Sequence, residues 1–402
     1  MKVKDKNFSP ANELLLNATS LNPYITDGKF TENDWDLTVK SARVQGVVLI
    51  AAETIVKNKN NLSAKTYGKF MNAVGSLLSR NDVVYKAQAD LLKVFDGKID
   101  CLVLKGLSSA VYYDKPENRI MGDIDLLIRE TDLEKADQLL LSDGYEKQKG
   151  EEIYDVVYSK NGVMVELHFA IPGIPDGEYG EQIKSFMADV FDTAVIREFQ
   201  GQKFRSPDDA HNAVIMLLHL QHHLYYGLVW LKQIVDWSRF IKATDGAPFW
   251  GQTVLPLFKS VDLLVFASAL TNACGKYLNS PVPLWAQAFN EGDEIIDAVF
   301  NSEKVTLSGD DYTKADMVLS EERYRKRNRF ALAINYVHKK TVNVPCVKKV
   351  VVLYPFIYVY ESFVCLIKAL FTRRKNFKQI NDFSKNTKKI YDKYGVFRNN
   401  KW

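Results

Sequence analysis

The stretch that decides the fold is LKGLSSAVYYDKPENRIMGDIDLLI, residues 104–128. Side chains two residues apart on a β-strand project from the same face, so Asp123 and Asp125 share one face. Ile124 and Leu126 then point to the opposite face, which is apolar enough to be core. Two carboxylates on one strand face repel each other unless a cation lies between them. Mg²⁺ prefers such oxygen ligands together with substrate phosphates, so the pattern is typical of sites that handle nucleotides.

A nucleotide site also needs a loop that holds phosphates. Gly106 follows the β-prone run CLVLK (residues 101–105) and precedes a helix-compatible segment. A glycine at such a junction lets backbone N–H groups approach a phosphate. Two hydroxyls follow it, and two basic side chains of the same stretch add positive charge. The residues predicted to bind the nucleotide are Lys105, Gly106, Ser108, Ser109, Arg119 and Gly122.

A third carboxylate is predicted on a neighbouring strand. The segment VMVELHFAI (163–171) alternates so that Glu166 and His168 share one face. An acid inside so β-prone a run is disfavoured unless it is exposed or binds a ligand. If this strand lies beside the strand of Asp123 and Asp125, Glu166 completes a set of three metal-binding carboxylates. We interpret His168 as a hydrogen-bonding neighbour of these acids rather than as a base.

The order of elements predicts an α+β fold, a small mixed sheet with helices, flanked by helical regions. A helix opened by Thr131 follows the second strand, and Asn161-Gly162 predicts a two-residue hairpin turn. Helical periodicity precedes this unit, and it resumes with a helix capped by Ser206. The predicted divisions are an N-terminal helical region (1–95), an α+β core (96–205), a C-terminal helical domain (206–344) and an apolar, aromatic helix with a basic tail (345–402).

Composition indicates a folded chain in a reducing compartment. Of 402 residues, 47% are hydrophobic, and the four cysteines form no CxxC pair, so neither disulfides nor a thiolate zinc site is expected. The N-terminus lacks the apolar run of a signal peptide, and a cytoplasmic location is expected. Residues 372–402 hold ten Lys or Arg and two Asp, a charge of +8 that leaves −4 for the rest of the chain. The core therefore gives no reason to expect a long nucleic-acid groove.

Four histidines of the C-terminal region raise the question of zinc. His219 and His223 stand four residues apart in HLQHH, but the glutamate of H-E-x-x-H is missing and no cysteine or acid has a helpful spacing. We favour packing or cleft-lining for His211, His219, His222 and His223 over a zinc site.

These motifs carry a family resemblance. LKG…A…YY…R-x-MGDIDLLI…GY…ELH resembles the bacterial uncharacterised nucleotidyltransferase family, within the DNA polymerase β-type nucleotidyltransferase superfamily. The likeness covers roughly residues 40–240 and includes HL-x-x-H and WLKQIVD. It implies a polymerase β-like core in which Asp123, Asp125 and Glu166 are catalytic and hold Mg²⁺ or Mn²⁺. Two departures from the superfamily stand out. Leu107 follows the loop glycine where the superfamily usually has serine, so that Ser108 stands one position late, and the gap between the glycine and the aspartates is longer than is common.

The resemblance and the three acids predict transfer of a nucleoside monophosphate from an NTP to an acceptor hydroxyl, with release of pyrophosphate. A small molecule or a protein is the preferred acceptor. One alternative is a non-catalytic, antitoxin-like binding protein with the same fold. Another is a peripheral membrane protein, at the inner face of the membrane, that acts through residues 345–402 on anionic lipid or another acidic partner. Residues 353–371 contain Glu361 and Lys368, so they suit a core or interface-lying helix better than a membrane span.

Overall fold

The computed structural model describes most of the chain. The described residues are 8–24, 29–148, 154–226, 229–289, 291–302, 337, 341, 351–371 and 387–400. The predicted boundary at 344/345 and seven of the twelve charged positions of residues 372–402 lie outside these residues.

Four helices precede the sheet. The first begins after Ser9, whose hydroxyl accepts from the backbone N–H of Asn12, and the second begins with a capping box between Thr31 and Asp34. The prediction of helices before the core is confirmed for the described part of this region. These helices are α1 (Pro10–Thr19), α2 (Glu32–Val44), α3 (Val48–Lys57) and α4 (Ala64–Phe95).

A five-stranded mixed sheet forms the α+β unit, as predicted. Its strands are β1 (Cys101–Val103), β2 (Ile124–Ile128), β3 (Glu146–Lys147), β4 (Asp155–Lys160) and β5 (Val163–His168). The spatial order is β1-β2-β5-β4-β3, and only β2 and β5 run parallel. Two short helices, α5 (Gly106–Ala110) and α6 (Leu133–Ser142), follow β1 and β2.

The predicted hairpin is present between β4 and β5. Asn161 and Gly162 both have positive φ, 52° and 74°, which matches a two-residue turn of the kind that follows the twist of the strands. This turn sets the register of β4 against β5 and places Asp155 opposite His168.

Strand β2 is buried on both faces. Ile124, Leu126 and Ile128 pack with α4 and α6 in one core, as their alternation predicted. Leu127 belongs to the other core, which the helices on the opposite side of the sheet supply. The face of β2 that carries Asp125 is therefore covered by helices.

The C-terminal part is helical but opens with a second sheet of two strands. Its elements are α7 (Glu178–Phe186), β6 (Val195–Phe199), β7 (Gln202–Ser206), α8 (Asp209–Tyr226), α9 (Leu231–Thr244), α10 (Leu255–Ser260), α11 (Leu264–Leu278), α12 (Asp293–Ser302) and α13 (Tyr354–Phe371). A π-helical turn, Trp250–Val254, leads into α10, and a further helix covers 387–394.

Two predicted helix starts are wrong. Helix α8 begins at Asp209, because Ser206 ends β7 and the Asp208 carboxylate instead accepts from the backbone N–H of His211 at 2.9 Å. Helix α6 begins at Leu133, because residues 130–132 form a 3₁₀ turn that absorbs Thr131. In both cases the residue that was predicted to cap the helix belongs to the preceding element, the strand β7 for Ser206 and the 3₁₀ turn for Thr131.

The helices before and after the sheet share one hydrophobic core. It contains Leu14, Trp35, Val39 and Ile55 from the first helices and Leu217, Trp237, Phe240, Phe266 and Ile295 from the later ones. Fully buried Gln45 links the two groups: its amide nitrogen donates to the Val299 carbonyl at 3.1 Å, and its amide oxygen accepts from the Leu231 N–H at 2.7 Å. The predicted boundaries of the regions stay predictions.

Among the described helices, no single one has both the length and the apolar composition of a membrane span. One pair of consecutive helical segments, Trp250–Ser260 and Leu264–Leu278, has that length and composition when the two are taken together, but the pair is bent by 118° at the break between them.

We expect Gln45→Ala to lower the free energy of unfolding by about 2–3 kcal/mol, because it leaves the buried Leu231 N–H and the Val299 carbonyl without the hydrogen bonds that Gln45 makes to them. Urea denaturation measures this change. The matched control is Gln287→Ala, which removes an exposed side chain that donates to the Val282 carbonyl and should cost less than about 0.5 kcal/mol. Equal losses in the two variants would contradict the linking role.

Candidate active site

A cavity of about 350 Å³ lies between the sheet and helices α8 and α9. One wall comes from the sheet and its loops and carries the acids, and the other comes from the two helices. The side chains of the first wall include Lys105, Ser109, Arg119, Asp123, Asp125, Asp155, Glu166 and His168. Those of the second include Asn212, His219, His222, His223, Trp230, Lys232, Gln233 and Asp236.

The parallel pairing of β2 and β5 brings two of the predicted acids together. Asp125 pairs in register with Glu166, so the two carboxylates project side by side from the same sheet face. Asp123 lies just before β2 and lines the same cavity, half-buried, with no ion pair or hydrogen bond to any described residue. The three acids that the sequence singled out therefore line one cavity.

Two cationic or polar side chains contact this carboxylate pair. The Lys105 ammonium lies 2.7 Å from Asp125 Oδ1 and 3.7 Å from Glu166 Oε2. His168 Nε2 lies 3.0 Å from Asp125 Oδ1 and 3.4 Å from Glu166 Oε2, which confirms its interpretation as a hydrogen-bonding neighbour. Lys105 was predicted to bind the nucleotide, and its ammonium instead contacts the acids in this structure.

The network controls the charge of its members. Burial alone would raise the pKa of Asp125, but the Lys105 charge and the His168 hydrogen bond hold it well below its ordinary value. Burial would lower the pKa of Lys105 and of His168, and the neighbouring carboxylates raise both. For Glu166 the His168 hydrogen bond lowers the pKa, while burial and the Asp125 charge together raise it. Asp125 is thus the firmly ionised member and Glu166 the one closest to accepting a proton.

The loop after β1 has an unusual backbone. Lys105 has φ 41° although it is not glycine, and Gly106 has φ 27°. A Cβ on Gly106 would lie 2.9 Å from the Met121 methyl carbon, so the loop passes tightly against the residues before the aspartates. Backbone strain of this kind is typical of functional sites. Gly106, Ser109 and Gly122 all line the cavity.

Two predicted nucleotide-binding side chains have other partners. Ser108 is fully buried, bonded to Ser206 Oγ at 2.7 Å and to the Asn212 amide at 3.1 Å, and does not line the cavity. Arg119 lines the cavity, but its guanidinium donates twice to Asp236, at 2.8 Å each, in a buried fork. Tyr113 donates to the same carboxylate at 2.6 Å. Arg119 therefore ties the loop before Asp123 to helix α9.

Three charged residues of the cavity, Asp155, Lys232 and Asp236, were not among the predicted site residues. Asp155 lies opposite His168 on the same sheet face, and the Asn161-Gly162 hairpin could have located it, since a two-residue turn sets the pairing. Lys232 and Asp236 stand four residues apart on α9, so they lie on one side of that helix. Both belong to the WLKQIVD segment of the family resemblance, but nothing in their spacing connects them to the aspartates.

Lys232 is the unpaired cation of the helical wall. Arg119 is paired with Asp236, whereas Lys232 makes no ion pair with any described residue. The cavity that it lines contains four further carboxylates, those of Asp123, Asp125, Asp155 and Glu166. Burial and then the Arg119 charge lower its pKa. A buried ammonium without a partner is costly unless a ligand supplies the counter-charge.

The histidines of α8 divide into two groups. His211 lies apart from the cavity and contacts Asp208 and Asp189. His219 and His223 face the cavity with their Nε2 atoms 2.8 Å apart, one donating to the other. Within the described part of the chain, the one group of three possible metal ligands is Asp125, Glu166 and His168, and none of the four histidines of α8 belongs to it.

The donor set on the sheet wall fits a hard divalent cation. Carboxylate oxygens suit Mg²⁺ and Mn²⁺, and ligand atoms of Asp125, Glu166 and His168 lie within 4.8 Å of one another. Both contacts to Asp125 use Oδ1, so Oδ2 takes no hydrogen bond from a described residue. Asp123 adds a further unpaired carboxylate on the same wall.

The histidine pair predicts a pH dependence of stability. Burial, and then the Lys105 charge, lower the pKa of His219 well below its usual range and that of His223 to about 3. A base whose folded pKa is depressed contributes stability above its unfolded pKa of about 6.5, and that stability is lost as the pH falls. Between about pH 7 and pH 5, we expect the wild type to lose on the order of 1 kcal/mol more than His223→Gln, as measured by urea unfolding. Parallel curves for the two proteins would contradict a neutral, buried His223.

Comparison with known proteins identifies the family. No curated protein matches the chain. A solved structure described as an antigenic nucleotidyltransferase-like protein from Paracoccidioides brasiliensis is similar to 52% of this chain and 96% of its own, at 16% identity and a TM-score of 0.29. The model of the uncharacterised nucleotidyltransferase family matches residues 31–279, which include every residue of the cavity described above. The chain belongs to the uncharacterised nucleotidyltransferase family.

Proposed function

We propose that this protein transfers a nucleoside monophosphate from an NTP to an acceptor hydroxyl and releases pyrophosphate. The observation that carries the proposal is the in-register pairing of Asp125 with Glu166 beside Asp123, on the wall of a cavity of about 350 Å³. That volume suits a small-molecule ligand. Family membership supports a nucleotidyltransferase, and the donor, the acceptor and the metal belong to the proposal.

Asp123, Asp125 and Glu166 would hold Mg²⁺ or Mn²⁺, which would offset phosphate charge and lower the pKa of the acceptor hydroxyl. The chain's own residues prepare this site. Lys105 and His168 keep Asp125 ionised and contact its Oδ1, which leaves Oδ2 without a hydrogen bond from a described residue. Glu166, the most exposed of the four side chains in this network, would receive the proton of the acceptor hydroxyl.

The phosphates would lie between the two walls. Lys232 offers an uncompensated ammonium, and the loop at Gly106 offers close backbone approach, with the Ser109 hydroxyl beside it. Arg119 contributes position rather than charge, because Asp236 neutralises it. Phosphate binding in this proposal therefore depends on a helix far from the acids in sequence.

The acceptor would enter along the helical wall. Neutral His219 and His223, the Trp230 indole and the Gln233 amide offer hydrogen-bonding and stacking surfaces without net charge. This part of the wall, away from the Lys232 ammonium, suits an uncharged hydroxyl compound or a side chain better than a polyanion. A small molecule or a protein hydroxyl remains our preferred acceptor.

The Lys105 contact supports a second candidate. An ammonium 2.7 Å from Asp125 neutralises the acid without any metal, as a binding protein with this fold but no turnover would require. Ser108 lies buried against Ser206 and does not line the cavity, so the usual phosphate-loop serine is missing there, which agrees with this alternative. Calorimetric titration with ATP and Mg²⁺, together with a pyrophosphate assay, separates the two: binding without turnover of any NTP supports the non-catalytic protein.

We expect Asp123→Asn combined with Asp125→Asn to abolish Mg²⁺-dependent release of pyrophosphate, because it removes two of the three anionic ligands. The assay screens labelled NTPs against small-molecule hydroxyl acceptors and the protein itself. The matched control is Asp90→Asn with Asp143→Asn, two exposed acids in surface ion pairs, and it should retain full activity. Full activity in the first variant, with circular dichroism showing both folded, would overturn the assignment.

Lys232→Met should raise the KM for NTP about tenfold, since it removes a charge-assisted phosphate contact. It should also leave the melting temperature unchanged or higher, because a half-buried ammonium with no ion pair to a described residue is lost. The control is Lys242→Met. Lys242 lies farther along α9, and its substitution breaks an exposed ion pair with Asp114. A Lys232→Met protein that melts earlier, with an unchanged KM, would show that the residue is merely structural.

A further inference from the structure

The outer face of helix α13 is an apolar surface without charge. Between Val352 and Val364 the exposed residues recur with a helical period, and all of them are aliphatic, aromatic or proline. We call this set the α13 face: Val352, Leu353, Pro355, Phe356, Val359, Tyr360 and Phe363. Five of its members are more than 60% exposed: Val352 (78%), Phe356 (72%), Val359 (68%), Tyr360 (62%) and Phe363 (61%).

The opposite side of the helix is the sheltered one. Tyr354, Ile357, Tyr358, Glu361 and Ser362 are all half-buried. Glu361, the one ionisable side chain between 352 and 364 besides the tyrosines, lies on this sheltered side. The more exposed side of the helix is therefore apolar and its acid lies on the less exposed side, the reverse of an ordinary surface helix.

Positive charge flanks the helix in the sequence. Between 341 and 375 the chain has six basic residues, at 348, 349, 368, 373, 374 and 375, and one acid, Glu361. Residues 372–402 carry +8 in total. An apolar, aromatic helix between basic segments is the combination that lies in the interface of an anionic bilayer, with rings at headgroup level and cations near the phosphates.

We propose that the α13 face docks this protein on an anionic membrane surface, with the helix lying in the interface rather than crossing it. No described single helix meets the requirements of a membrane span, and α13 contains Glu361 and Lys368. A second copy of the chain is a poorer occupant, because pairing two such faces would bring two strongly basic segments together. The inference is independent of the reaction at the cavity.

Sedimentation with vesicles tests the proposal on the full chain. We expect binding to vesicles of phosphatidylcholine mixed with phosphatidylglycerol and at least about tenfold weaker binding to phosphatidylcholine alone. Raising the salt from about 0.1 M to 1 M should weaken the binding, because the screening length falls from about 10 Å to about 3 Å. Absence of binding to the anionic vesicles at the lower salt would overturn the proposal.

A matched pair of variants locates the surface. Phe356→Asp with Phe363→Asp should reduce the bound fraction more than about tenfold. Ile196→Asp with Leu284→Asp adds the same charge at apolar positions that are 72% and 85% exposed elsewhere, and it should bind as the wild type does. Equal loss in both variants would show a general charge effect and contradict the α13 face. A wild type that is dimeric by light scattering, with the first variant monomeric and neither bound to vesicles, would assign the face to self-association instead.

Discussion

The carboxylate pair of Asp125 and Glu166 is the constraint on which the site depends. Parallel neighbours in a sheet lie about 4.8 Å apart, and two like charges at that distance repel by about 3 kcal/mol at an effective dielectric constant near 20. Because β2 is buried on both faces, water cannot screen this repulsion fully. The pair therefore needs groups that offset its charge, and Lys105 and His168 supply them through their contacts with Asp125.

Holding Lys105 in place has a backbone consequence. Its ammonium reaches Asp125 only because the chain leaves β1 and enters α5 through two successive residues with positive φ. Gly106 is favoured there by its φ of 27°, a region that side chains rarely adopt, and a Cβ at this position would also displace the Met121 methyl group. The loop that the sequence suggested as a phosphate cradle thus also supplies the counter-charge of the acids.

The two walls of the cavity are joined by the Arg119–Asp236 fork. Arg119 precedes the aspartates, and Asp236 lies on α9 one turn after Lys232. The fork is buried and neutral, so it fixes the distance between acids and helix without adding charge to the cavity. Lys232 is left as the uncompensated cation of the helical wall, which makes α9 both a structural and a binding element.

The sequence alone predicted β1, β2, β4 and β5, the alternation along them and the three acids that line the cavity, because period-two patterning and the Asn161-Gly162 turn are local properties of the chain. It also predicted the α+β class, while β6–β7 and the starts of α6 and α8 escaped it because weak capping signals compete with turns. Only the tertiary structure decided which cation meets which acid. Lys105, Arg119 and Lys232 look alike in sequence, yet the first is bound to Asp125, the second to Asp236 and the third to no described acid. Those pairings depend on contacts between segments up to about a hundred residues apart, and no local pattern encodes such contacts.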